Sequence, residues 1–164
     1  MRKLLLILAA ILVVAQFAQP DRSVEANAPE HDLITVTEPP TEVRDLLRAA
    51  CYDCHSDHTT YPWYSRITPV NFWLQDHIEE GRAEFDMSSW GRRRAKWQRH
   101  KAEESVELIE QEEMPLPSYT WVHGAARLSP TQRQTLATYF SGLRDALPTE
   151  AGSGNGDGGG KGRH

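Results

Sequence analysis

Residues 41–55, TEVRDLLRAACYDCH, decide how this chain is read. Val43, Leu46, Leu47 and Ala50 fall on one stripe at helical spacing, so the segment predicts a helix over about Thr41 to Ala50. That helix runs directly into Cys51-Tyr52-Asp53-Cys54-His55, which holds the only two cysteines of 164 residues. Residues three apart on a helical turn point to nearly the same side, so two thiols can reach the two vinyl groups along one porphyrin edge. The next residue, His55, can then place its imidazole under the iron. The C-x-x-C-H spacing therefore reads as a c-type haem attachment site, with Cys51 and Cys54 as thioether anchors and His55 as proximal ligand.

Three other uses of the same residues are weaker. A thioredoxin-like dithiol needs a βαβ setting, and no segment here alternates with period two. A zinc site would want a second ligand pair at finger or ribbon spacing, whereas Cys51, Cys54, His55 and His58 crowd into eight residues. A disulfide across two residues would close too short a loop to cross-link anything.

Outward from the motif the pattern stays helical. Thr68-Pro69 reads as a helix start and Gly81 as its stop, with Val70, Trp73, Leu74, His77 and Ile78 on one face. A longer helix is expected from about Ser89 to Glu112, anchored by Trp90, Trp97, Val106 and Ile109. Ser129-Pro130-Thr131-Gln132 is a capping box with proline at the first helical position. It opens a last helix that buries Leu136, Tyr139, Phe140 and Leu143. The fold expected is all-α, a small cytochrome c-like helical domain wrapped around one covalent haem.

The ends differ in composition. Arg2 and Lys3 precede the apolar run Leu4 to Ala18, whose fifteen residues match a signal-peptide core and fall short of the ~20 needed to cross a bilayer comfortably. Ala26-Asn27-Ala28 fits a small-x-small cleavage site. Residues 1–28 are thus either a signal peptide or an uncleaved anchor held by residues 4–18, and the rest should be periplasmic. Residues 29–40 read as a linker or strap, 41–148 as the haem-binding domain. Seven of eleven glycines lie between Gly152 and Gly162, so 149–164 reads as a disordered tail.

A formal charge of −5 argues against nucleic acid as a partner. On the opposite face of the iron, Met114 is the expected sixth ligand. It lies in Glu113-Met114-Pro115-Leu116-Pro117, where two prolines stiffen the loop and a thioether can complete a Met/His pair. His77 is the alternative. His123 and Tyr119 read as hydrogen-bond partners of the haem or its loop, Trp63 as part of the aromatic wall, and His58, His100 and Met87 as surface or packing residues. The long helix carries bases from Arg92 to Lys101 and acids from Glu103 to Glu113, against its own macrodipole. The basic half is either a solvated face, a clamp for haem propionates or a dock for an acidic partner.

CYDCHSDHTTYPWYSRITPVNFWLQDHIEEGR, the Ser88-Ser89-Trp90 step and EMPLPSYTWVHGAARLS together resemble the bacterial haem-binding domain family of small c-type cytochrome-like proteins, over about residues 39–147. The resemblance implies one covalent haem c and an exported or membrane-anchored position. Cys51, Cys54 and His55 match the attachment and proximal positions. Met114, His77 and His123 match family positions without deciding which meets the iron. Asp86 departs from the family, whose members often have Asn there. The function expected is mono-haem electron transfer to an unidentified redox partner, a carrier rather than a catalyst. The alternatives are a peroxidase-like or gas-responsive domain with a displaceable sixth ligand, or a haem-bearing accessory domain of a larger redox complex.

Overall fold

A computed structural model describes residues 1–148, and among these the chain is all-α. The expected disordered tail, 149–164, lies outside the described residues. In chain order the elements are α1 (Arg2–Ala15), a 3-10 turn (Pro29–His31), α2 (Leu33–Thr37), α3 (Thr41–Ala50) and α4 (Tyr52–His55). A second 3-10 turn (Trp63–Arg66) leads to α5 (Val70–Glu84), and a third (Met87–Arg92) to α6 (Ala95–Glu110). After α7 (Pro117–Thr120) and a turn at Gly124–Ala126, α8 (Pro130–Ala146) closes the fold.

The longest contact is between α6 and α8. Their apolar stripes, Ala102, Val106 and Ile109 against Leu136, Ala137 and Phe140, meet Leu46 and Leu47 of α3 in one core. The capping box forms as the sequence implies: Ser129 Oγ accepts from the Gln132 amide at 3.2 Å, and Gln132 Oε1 accepts from the Ser129 amide at 2.8 Å. Two backbone donors at the mouth of α8 are thereby satisfied. Helix α3 has the predicted limits and buries Val43, Leu46 and Leu47.

Residues 29–40 behave as the strap. Asp32 caps α2 by accepting from the Ile34 amide at 2.9 Å, and Leu33 is fully buried in the core. Five residues of helix are too few for periodicity to reveal.

Two expectations need correction. The single helix from Ser89 to Glu112 is a 3-10 turn and a separate α6, broken at Arg93-Arg94. Asp86 caps the turn through the Ser88 amide at 3.0 Å. Gly91 is pressed so closely on the strap that a Cβ there would meet Val36 Cγ2 at 3.0 Å. The chain must bend away before α6 can start. Gln98 Nε2 then donates to the Trp90 carbonyl at 2.8 Å across the break. Trp90 and Trp97 sit seven residues apart, which imitates one continuous stripe.

Gly81 does not stop α5, which continues to Glu84. Its missing side chain serves a crossing: a Cβ would lie 3.1 Å from the Cys54 carbonyl oxygen and 3.2 Å from Cys54 Cβ. The glycine lets α4 and α5 touch backbone to backbone.

Helix α1 has no buried residue. No described helix is long and apolar enough to cross a membrane.

Candidate haem site

The motif sits on the single turn α4, entered at Cys51 where α3 ends. The amides of Cys54 and His55 both reach back to the Cys51 carbonyl, at 3.2 and 3.0 Å. Tyr52 points the other way, into the core, and its hydroxyl donates to Asp32 Oδ1 at 2.8 Å. One side chain of the turn therefore nails it to the fold, leaving Cys51, Cys54 and His55 on the side facing α5 and the open cleft.

The crossing at Gly81 determines what His55 does. Its Nδ1 lies 2.8 Å from the Gly81 carbonyl oxygen and 3.0 Å from that of Phe85. A carbonyl oxygen only accepts, so Nδ1 carries the proton and Nε2 keeps a free lone pair. Burial pulls the His55 pKa below its ordinary value and Lys101 adds to this, while the two carbonyl bonds oppose it. The ring is thus a neutral donor ligand with its orientation fixed, the state a metal-binding imidazole requires. The Phe85 ring lies 6.0 Å from it and itself packs against Trp90, Trp97 and Phe140.

Both cysteines are free. Burial and the neighbouring Cys54 push the Cys51 thiol up to about 12, and burial and Asp53 push Cys54 up to about 11. Thiols so strongly protonated are poor redox dithiols, which work as thiolates.

The cleft has three adjoining lobes. The first, about 170 Å³, lies between Cys51, His55, Phe85, Ile109, Met114 and Phe140. The second, about 310 Å³, shares His55, Met114 and Pro115 with the first and adds Cys54, His77 and Tyr119. The third, about 460 Å³, shares Cys54, His77 and Tyr119 with the second and is flanked by Trp63, Trp73 and Trp121. The walls are mostly apolar, with Glu84, Glu104 and Lys101 on the first lobe and Glu80 and Glu84 on the second. Lys101 lines the first lobe, almost buried, and is held by Glu104 at 2.7 Å and Glu84 at 3.5 Å.

Across the cleft from His55, the loop after α6 presents Met114. Its amide donates to the Leu108 carbonyl at 3.1 Å, and its own carbonyl accepts from Arg133 Nη1 at 3.0 Å. The same guanidinium nitrogen donates to the Ile109 carbonyl at 3.1 Å, so α8 pins the loop to the end of α6.

The other predicted residues are placed as follows. Tyr119 lines two lobes and donates its hydroxyl to Asp53 Oδ2 at 2.7 Å. His123 stacks on Tyr119, ring centroids 4.0 Å apart, and lies behind it rather than on the cleft. His77 borders the second and third lobes, with Nδ1 2.9 Å from the Trp73 carbonyl. Trp63 stands at the outer rim, 79% exposed. Met87 is core, while His58 and His100 are exposed.

The run of bases on α6 and its approach is largely engaged within the fold. Arg93 lies 4.9 Å over the Trp97 ring and bonds Ser89, Arg92 bonds Asn27, and Arg99 donates to the Arg144 carbonyl. Of this group, it is Lys101 that lines the cleft. Sequence reasoning missed Gly81, Phe85 and Arg133, whose contributions are a close approach, a carbonyl and a guanidinium reaching from α8 to the end of α6 and the loop after it. None of these leaves a local pattern.

Two free thiols, a neutral imidazole with Nε2 unengaged, and a thioether on the opposing wall of an apolar cleft form a donor set that fits a haem. A model of the haem-binding domain family matches residues 10–142. This chain belongs to that family. No curated protein and no solved structure matches it. In this haem-binding domain the candidate ligands lie on α4 and on the loop joining α6 to α7, two segments that border the same cleft.

Proposed function

We propose that the domain carries one haem c, bound through Cys51 and Cys54 with His55 and Met114 as axial ligands, and that it shuttles single electrons in the periplasm. The observation that supports this best is the bonding of His55. Its Nδ1–H is spent on two carbonyls of α5, on the same turn as two free protonated thiols. The haem, when bound, supplies a one-electron iron couple that no side chain of the protein has.

The remaining work falls to the chain. Cys51 and Cys54 would hold the haem covalently, each as a thioether to one of its vinyl groups. His55 holds Nε2 at a fixed angle because Gly81 and Phe85 clamp the ring. Met114 offers sulfur from a loop pinned at its amide and its carbonyl. The apolar walls exclude water, which keeps reorganisation small when charge changes. Lys101 lines the first lobe with its charge already taken up by Glu84 and Glu104. A redox partner protein would approach at the rim around Trp63 and Trp121, next to Cys54.

The test is the exported, purified protein. Its haem should resist acid-acetone extraction, its ferric form should be low-spin with the far-red methionine–iron band, and Cys51→Ala should weaken or abolish attachment. Extractable haem would refute covalent binding. A high-spin, readily ligated iron would instead favour a peroxide- or gas-reactive site.

A further inference from the structure

The segment between α1 and the strap is bonded to the domain like a folded element. The Gln16 side chain pairs with the backbone of Thr68 in both directions, Nε2 to the carbonyl at 3.1 Å and Oε1 from the amide at 2.9 Å. Asn71, 1% exposed, gives its amide to the Ala18 carbonyl at 3.3 Å and to Gln19 Oε1 at 3.2 Å. Arg22 donates to the Ser65 carbonyl and lies 4.4 Å over the Tyr61 ring. Asn27 donates its backbone amide to Asp57 at 2.6 Å and its side chain to Asp86 at 3.2 Å, and accepts from Arg92 at 3.2 Å.

Cleavage after Ala28 would remove every one of these partners. The family match points the same way from independent ground: it begins at residue 10, inside α1 and upstream of Ala26-Asn27-Ala28. From these two observations we infer that residues 1–28 are retained, that α1 is embedded in a lipid bilayer, and that Gln16, Thr68 and Asn71 clamp the haem domain to the outer end of that helix. The inference rests on the exported reading above for the side of the membrane on which the domain stands.

The chemistry of α1 fits lipid. Leu4 to Leu8 and Ile11 to Val14 are all exposed, around the whole helix. Arg2 and Lys3 at its start suit anionic headgroups on the inner face. At 1.5 Å per residue the apolar part of α1, Leu4 to Ala15, spans about 18 Å, well short of the ~30 Å hydrocarbon core, so it does not cross a bilayer of ordinary thickness unaided. Exposed apolar residues at the clamp, Phe17, Ile67, Val70 and Phe72, extend that surface where the domain meets the helix. They would settle into the interface while the bilayer thins around α1 and Arg2 and Lys3 snorkel to the opposite headgroups. The haem site is then carried on a rigid stalk, since residues 16–27 are tied down rather than left as a tether.

The test uses the full chain with an affinity tag after His164. Membrane and soluble fractions are separated and the intact mass is read from each. The expected result is a detergent-extractable membrane protein whose mass includes residues 1–28. A mature N-terminus at Pro29, or a full-length chain in the soluble fraction, would overturn the inference. The double variant Gln16→Ala/Gln19→Ala should stay in the membrane but be proteolysed several-fold faster between residues 19 and 28; an unchanged rate would overturn the clamp. A membrane-held, full-length chain without covalent haem would count against the proposed function alone.

Discussion

Tyr119 donates its hydroxyl to Asp53 Oδ2 at 2.7 Å, joining α7, which directly follows the loop that carries Met114, to the middle of the C-x-x-C-H turn. Asp53 is one of the two variable positions of that motif, so a residue with no ligand role ties the two walls of the cleft together. Burial and the Asp53 carboxylate both push the Tyr119 phenol up, so it stays a donor throughout the ordinary pH range.

Tyr119→Phe removes that bond and little else. The loss should be about 1–2 kcal/mol, the scale of one hydrogen bond to a charged acceptor at a partly exposed site. Denaturant unfolding of the wild-type and variant holoproteins measures it. An unchanged midpoint would mean that the bond does not hold the loop.

Gly81→Ala should be the most damaging single-methyl substitution near the site. The new Cβ would meet Cys54 backbone and Cβ at 3.1–3.2 Å, and neither atom is the end of a flexible side chain. Separating α4 from α5 also lengthens both bonds to His55 Nδ1. A cost of about 1–3 kcal/mol should come with a lower haem-to-protein ratio. Gly142→Ala is the control: it lies in α8 with nothing within 4 Å of the new atom. It should stabilise by about 0.5–1 kcal/mol through helix propensity. Thermal melts of both variants, with haem absorbance per chain, separate the two effects.

How much was legible beforehand follows from which interactions are local. Helix α3, the capping box of α8 and the buried stripes depend on residues within a few positions of one another, so period and cap chemistry reveal them. The attachment motif is equally local. The break at Arg93-Arg94 is not, because it is imposed by Gly91 lying against His31 and Val36, some sixty residues away in sequence. Gly81 carries the same ambiguity: a glycine near a helix end looks like a stop whether it ends the helix or admits a neighbour. Arg133 holds Met114 from a different helix and looks like any solvated arginine in sequence. Pattern reading therefore names the groups that could meet the iron, while tertiary contacts that no pattern encodes decide how they are held.

The thiols give a prediction for the haem-free chain. Alkylation requires the thiolate, and both pKa values are raised, so reactivity is suppressed at neutral pH and climbs as pH rises toward 11–12. With Cys54 raised from 9.0 to about 11, iodoacetamide at pH 8 should react roughly a hundredfold more slowly than with free cysteine. Cys51 should be slower still. Mass spectrometry of timed samples across pH checks this. Reaction at the rate of free cysteine would show that the motif is open to solvent. In the haem-loaded protein neither sulfur should be alkylated at any pH.

Met114 and His77 can be separated by the same geometry that brings both to the cleft. Met114 lines the first two lobes, as His55 does, and its backbone is held at both amide and carbonyl, so the residue is kept on the cleft that the imidazole also borders. His77 borders the second and third lobes but not the first, and its ring leans on Trp73 at 4.4 Å; its Nδ1 bond to the Trp73 carbonyl leaves Nε2 free, so its position rather than its bonding sets it apart. Met114→Ala should therefore abolish the far-red methionine–iron band and lower the reduction potential, because a thioether ligand favours ferrous iron. His77→Ala should leave the band in place. Arg133→Gln should fall between them, keeping the band but weakening it as the loop loses its pin to the Met114 carbonyl. An intact low-spin methionine spectrum in Met114→Ala, or its loss in His77→Ala, would reassign the sixth ligand.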